Sequence, residues 1–155
     1  MTKIIEWAGR NVWIGWLLAI PFLLQGGIWV TDRAPPFSVI GPVVVSNARP
    51  GEIIYFTAPV RRDLDRECSV MFSRHIIDVR GVRFELTKEP GVMTAAGLRA
   101  MDAAMGKYLR LAVEVPEQAA PGQAVFVTEL SYACNPVHRA WPIEVSLPML
   151  FLIQS

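Results

Sequence analysis

The stretch Cys68-Ser-Val-Met-Phe-Ser-Arg-His-Ile-Ile77 (CSVMFSRHII) decides how the body of this chain is read. Cys68, Val70 and Phe72 share one side of an extended backbone. Ser69, Ser73 and His75 share the other, together with Met71. Alternation with a period of two marks a half-buried strand, because successive side chains of a pleated backbone point to opposite faces. An apolar face of this kind has to be covered by a second layer, so the flanking sequence is searched for further strands.

Upstream, Arg49-Pro50-Gly51 forms a turn between Phe37–Val45 and Glu52–Ala58, both strand-like. Downstream, residues 78–81 turn the chain and Val82–Leu86 returns as a hairpin partner. Tyr108–Val115 alternates with Leu109, Leu111, Val113 and Val115 inward. After the polar turn PEQAAPGQ, Ala124–Cys134 puts Phe126, Leu130, Tyr132 and Cys134 on one side. Ile143–Ile153 closes the body, and Pro148, which has no N–H to donate, predicts a bulge or an edge position there. Thr94–Met105 carries the one helical signal: Leu98, Met101 and Met105 at helical spacing, Thr94 as cap and Gly106 as stop. The expected body, residues 37–155, is mainly β: about seven strands in an antiparallel β-sandwich with one short helix over its end.

The order of PGEIIYFTAPVRRDLDREC, then PGQAVFVTELSYACNPVH, then a last hydrophobic strand resembles the immunoglobulin-like extracytoplasmic domains of small single-pass membrane proteins from bacteria and prophages. The resemblance covers Pro35 to Ile153. It implies an immunoglobulin-like sandwich outside the cytoplasm and names no partner.

The rest of the chain fits that location. Residues 1–11 form a tail. Residues 12–30 (VWIGWLLAIPFLLQGGIWV) carry no charge, and as a helix they would span roughly 30 Å, the thickness of a hydrocarbon layer. Trp7, Trp13, Trp16 and Trp29 lie towards its ends, where indoles favour the headgroup zone. A transmembrane helix contacting membrane lipid is expected, with a cleaved signal peptide or a buried core helix as competing readings. Residues 31–36, with Ala34-Pro35-Pro36, make a stiff linker. Lys3 and Arg10 against Asp32 and Arg33 tilt the orientation towards a cytoplasmic N-terminus and a periplasmic body at the inner membrane.

Charge narrows the function. The 155 residues balance 15 basic against 14 acidic side chains, a net charge of +1, which argues against nucleic acid as a partner. There are two cysteines, so one disulfide is allowed and a four-cysteine metal site is not. Cys68 and Cys134 both point inward with apolar neighbours. Pairing them would close the loop of residues 69–133 and stabilise the fold by about 3 to 4 kcal/mol in the chain-entropy model. The competing reading is a metal site. YACNPVH resembles the Cys-to-His loop of cupredoxins, which implies a copper ligand set of His75, Cys134 and His138. No Met or Gln follows His138 closely to serve as the axial ligand. A zinc site adding Cys68, and a Ca²⁺ loop at Asp63, Asp65 and Glu67, are weaker alternatives. Ser73, His75 and Asp78 contain triad residue types but no nucleophile elbow.

The expectation is therefore a non-enzymatic, cofactor-free module. It would bind a protein partner or organise a cell-envelope or phage-related assembly. Candidate contact residues are Arg61, Arg62, Asp63 and Asp65 in the loop of residues 61–67, and Arg139 and Trp141 in the loop of residues 135–141. Trp141 has a second reading, as a cap on the core. The alternative function is a membrane-tethered, cupredoxin-like copper electron carrier.

Overall fold

The computed structural model describes residues 12–155. The tail at 1–11 lies outside the described residues. Along the chain run helix α1 (Val12–Thr31), strands β1 (Phe37–Val39), β2 (Val44–Val45), β3 (Ile53–Arg62), β4 (Cys68–Ile77) and β5 (Arg83–Met93), helix α2 (Ala95–Met105), strands β6 (Tyr108–Glu114) and β7 (Gly122–Ala133), the single turn α3 (Pro136–Ala140) and strand β8 (Ile143–Ile153).

The strands form two antiparallel sheets of four. In the first, β3 is central. β6 pairs with one side of it, Ile54 opposite Val113 and Ala58 opposite Leu109. β1 and β2 follow one another along the other side, Val39 opposite Val60 and Val45 opposite Phe56. The second sheet has the order β5-β4-β7-β8. The chain changes sheet after β3, after β5 and again after β6, so each sheet is assembled from distant segments. The protein is mainly β, built as two sheets that share a core, consistent with a β-sandwich.

The core divides into two clusters. The larger joins Ile54, Phe56 and Val113 of the first sheet to Ile76, Phe126, Phe151 and Ile153 of the second. Phe56 stacks on Phe126 with ring centres 4.7 Å apart and meets Phe151 edge-on at 6.1 Å. The smaller gathers Phe37, Val60, Cys68, Val70, Tyr132 and Ile143. Ala48 bridges to Ile153 outside the named strands, and the amide of Gln154 donates to the Ala48 carbonyl at 2.9 Å, closing one side of the sandwich.

Several expectations need correcting. The first strand is two short pieces, because Gly41 and Pro42 interrupt it. β3 runs on to Arg62, so Arg61 and Arg62 belong to a strand and not to a loop. β5 runs to Met93, well past Leu86. Leu86 is the extra residue where the register shifts, with Arg74 opposite Thr87 and His75 opposite Glu85. The body has two short helices, not one: the segment expected as a loop at 135–141 winds into α3. Pro148 sits opposite Val127 in β8, which is an edge strand, so its missing N–H faces outward at no cost. α2 matches its sequence signals. Thr94 accepts from the Gly97 amide at 3.0 Å, and Gly106, at φ 59°, ends the helix.

The uncharged segment forms a continuous helix of 20 residues. Among the described residues, however, no helix is long and apolar enough to cross a membrane. Pro21, Gln25, Gly26 and Gly27 thin out the hydrophobicity of α1.

Candidate functional site

Two places combine unusual chemistry: the junction between α1 and the sandwich, and a hollow inside the sandwich.

At the junction, every connection comes from a side chain that the local sequence places there. The Asp32 carboxylate accepts from Arg66 at 2.8 Å. Arg33 donates to the carbonyls of Trp141 and Pro142, each at 2.9 Å, and its guanidinium lies 4.2 Å from the centre of the Trp141 ring. Asn135 serves two purposes. Its side-chain oxygen caps α3 by accepting from the His138 amide at 3.1 Å, and its Nδ2 donates to the Trp29 carbonyl at 3.2 Å. Pro136 opens α3 at the first helical position, where no N–H is needed. Trp141, 56% exposed, is thus part of a clasp on α1 and does not cap the core. Arg139 is exposed.

The other predicted contact residues divide. Arg61 and Asp63 are exposed. Arg62 has a side chain only 2% exposed and is held inside the fold. It pairs with Asp102 at 3.0 Å and donates to the Gly106 and Tyr108 carbonyls, locking the end of α2 against β3 and β6. Asp65 pairs with Arg99 of α2. The sequence reading missed this because the partners lie 34 to 46 residues away.

The metal readings meet geometry. Cys68 and Cys134 are joined by a disulfide, with Cα atoms 4.1 Å apart. The sulfur the copper reading needs is therefore committed to the bridge. His75 pairs with Val127, seven residues along β7 from Cys134, a separation of roughly 23 Å. His138 is fully buried against Asn135. Among the described residues, no group of three His, Cys, Asp or Glu side chains is gathered to hold a metal.

The triad types are not gathered either. Asp78 has a fully buried side chain. Its carboxylate accepts from the Arg80 guanidinium at 2.7 and 2.9 Å and from the amides of Arg80, Val82 and Ala120 at 2.9 to 3.0 Å. Burial works to raise its pKa. The hydrogen bonds from Ala120, Arg80 and Val82 outweigh that and hold it down at about 2. This carboxylate organises the β4–β5 turn, in which Gly81 takes a φ of 79° that a side chain would resist.

The hollow lies between the two core clusters. It has a volume of about 370 Å³ and is lined by both sheets and by α2. Its wall is mostly hydrocarbon, including Phe37, Leu98, Leu109 and Leu147. Three polar side chains of the second sheet also line it: Arg74, Thr128 and Tyr132. Arg74 Nε, Thr128 Oγ1 and the Tyr132 hydroxyl are all buried without a hydrogen-bond partner. Burial lowers the Arg74 pKa, with exposed Glu89 pulling the other way, and it raises that of Tyr132. Sequence reasoning passed over Arg74, although a signal was present: it continues the parity of Cys68, Val70 and Phe72, so it had to face inward.

No family model and no curated protein matches this chain. Among solved structures, it is similar to the Pseudomonas fluorescens alkylpurine DNA glycosylase AlkC bound to DNA containing an abasic site analog (TM-score 0.42, 10% identity, 79% of this chain and 31% of that one). It is also similar to the sporulation control protein Spo0M from Bacillus subtilis (TM-score 0.38, 12% identity, 79% and 51%). A third is Dpr1 IG1 bound to DIP-eta IG1 (TM-score 0.33, 13% identity, 79% and 98%). The chain spans about a third of the glycosylase and half of Spo0M. At such scores the likeness says nothing of what this chain does.

Proposed function

We propose that this chain is a membrane-anchored, immunoglobulin-like module that works by binding, holding a protein partner or an envelope or phage-related assembly at the membrane surface. The observation that carries the anchor is the state of α1. Leu17, Ile20, Phe22, Leu23, Leu24 and Ile28 are 46 to 79% exposed among the described residues and point in several directions round the helix. Although Pro21, Gln25, Gly26 and Gly27 dilute its hydrophobicity, α1 carries no charge and exposes large apolar side chains in several directions, and a lipid surface would cover them. The clasp at Arg33, Asn135 and Trp141 then lies where indole and arginine favour the headgroup zone.

Strand order supports the immunoglobulin-like reading. A hairpin (β4–β5) in the second sheet, a return to the first sheet for β6, and a closing hairpin (β7–β8) in the second sheet with β7 beside β4 make a Greek-key-like path. The disulfide fits an oxidising compartment such as the periplasm. Binding is favoured over catalysis because Asp78 is fully engaged by Arg80 and three amides. The copper-carrier alternative fails on the bonded Cys134.

The test is fractionation of the full chain, expressed with a C-terminal tag in a bacterial host. It should stay in membranes through an alkaline carbonate wash, leave them in mild detergent, and be cut by protease added to spheroplasts. Affinity purification from that detergent extract should yield a stoichiometric protein. Recovery of the tagged chain in the soluble fraction, uncleaved at its N-terminus, would remove the anchor and this proposal with it.

A further inference from the structure

The unpartnered polar atoms and the hollow belong to one site. Arg74 and Thr128 are directly opposite in the β4–β7 ladder, side by side on its inner face. Among the described residues Arg74 forms no ion pair. Its guanidinium lies 5.1 Å from the Phe72 ring centre, and its one charged influence is exposed Glu89 on β5. Arg74 is half-buried with its Nε sealed off and unpartnered, and a partly desolvated guanidinium gains from an anion that meets it with charge-assisted hydrogen bonds. Thr128 is 5% exposed and Tyr132 fully buried. Some nine in ten buried polar groups find a partner, yet three on this one wall do not. Water entering the hollow can serve these atoms, and a ligand that brings both an acceptor and hydrocarbon would replace it on the polar and the apolar wall alike.

The geometry points to a binding site for a fatty acid: a single carboxylate seated on Arg74 and Thr128, with its hydrocarbon tail filling the gap between the two core clusters. A planar guanidinium suits a carboxylate, which it can meet with two parallel hydrogen bonds. The volume of about 370 Å³ falls within the range of small-molecule pockets. At about 30 Å³ for each water-sized group it accommodates a chain of about a dozen carbons. The mouth is identifiable as well. Val92 and Met101 line the hollow but are 76% and 47% exposed, so the opening lies between the end of β5 and α2. Tyr132 marks the end nearer the disulfide, since it pairs with Val70 four residues along β4 from Arg74. Phe37, on the wall, follows closely after α1. With that helix in a bilayer, fatty acid dissolved in the membrane would be close at hand; only this last point rests on the proposed anchor.

The experiment uses the full chain in phospholipid nanodiscs, titrated with dodecanoate carrying ¹³C at its carboxyl, with empty nanodiscs as reference. A saturable carboxyl resonance, one per chain and absent from empty discs, is expected. Dodecanol should compete about tenfold or more weakly, the difference a charge-assisted hydrogen bond makes. Arg74→Met should abolish the resonance while leaving the melting temperature equal or higher, because an unpaired charge leaves the core. Thr128→Val, nearly isosteric, should weaken dodecanoate several-fold and guards against misfolding of the first variant. Absence of the resonance, equal competition by dodecanol, or undiminished binding in either variant would overturn the assignment. So would refusal of dodecanoate because bilayer phospholipid already fills the hollow. None of these outcomes bears on whether α1 crosses a membrane.

Discussion

Cys68 and Cys134 stand opposite each other on adjacent strands of one sheet, one residue beyond the Ser69–Ala133 pair of the β4–β7 ladder, and are bonded. In immunoglobulin domains the equivalent bridge runs between the two sheets, through the middle of the core. Here it fastens the end of one sheet, beside α3 and the foot of α1.

That bridge closes a loop with a sequence separation of 66. Urea unfolding of the sandwich should show a loss of about 4 kcal/mol in Cys68→Ser/Cys134→Ser, the cost of freeing the unfolded chain from that constraint. Reductant should lower the wild type by the same amount and leave the variant unchanged. Equal stability with and without the bridge would contradict this.

Asp78 makes stability depend on acid. Its folded pKa of about 2 lies below the unfolded value near 4. The contribution is complete above about pH 4. As pH falls from there to about 2, the unfolded chain takes up the proton first, and stability is lost. Asp78→Asn should be less stable at neutral pH and should show a shallower fall across that window. Parallel acid profiles for the two proteins would mean that Asp78 is not the group responsible.

Arg62 holds three acceptors at the end of α2. Replacing it by Met should cost about 2 to 3 kcal/mol, because Asp102 and two carbonyls lose a charged donor. Arg62→Lys should recover little, since an ammonium cannot span the same fork. Denaturant melts give the magnitude, and faster proteolysis near Gly106 would locate the loosening.

Trp141 contributes to the clasp and not to the core. Trp141→Ala should therefore cost no more than about 1 kcal/mol, the scale of one cation–π contact. Amide exchange should quicken at Asn135–Trp141 and at the foot of α1 while β7 and β8 stay protected. A loss of several kcal/mol would restore the core-cap reading.

The strands were legible where one face is wet and the other dry. β4 alternates at Cys68, Ser69, Val70 and Met71 in the structure as in the sequence. α2 was legible because Thr94 and Gly106 bound it. The bonded cysteines were legible through phase, as both pointed inward. α3 was not: Asn135-Pro136 is a helix start as much as a turn, and five residues are too few to show a period. The candidate site was legible only in part. Arg62 looked like a free charge in a loop, and Arg74, though its parity turns it inward, carries no local sign that Thr128 stands opposite it.

By itself, then, the sequence determined which residues turn inward, which pair of sulfurs was available, and which segment carries no charge. These are properties of periodicity and composition, felt within a few residues. Tertiary structure alone decided that Arg74 meets Thr128 across a ladder, that Arg62 closes on Asp102, and that two apolar clusters leave a hollow between them. Those outcomes depend on strands distant in the chain being brought together at one register, and on how well two curved sheets fill the space they enclose.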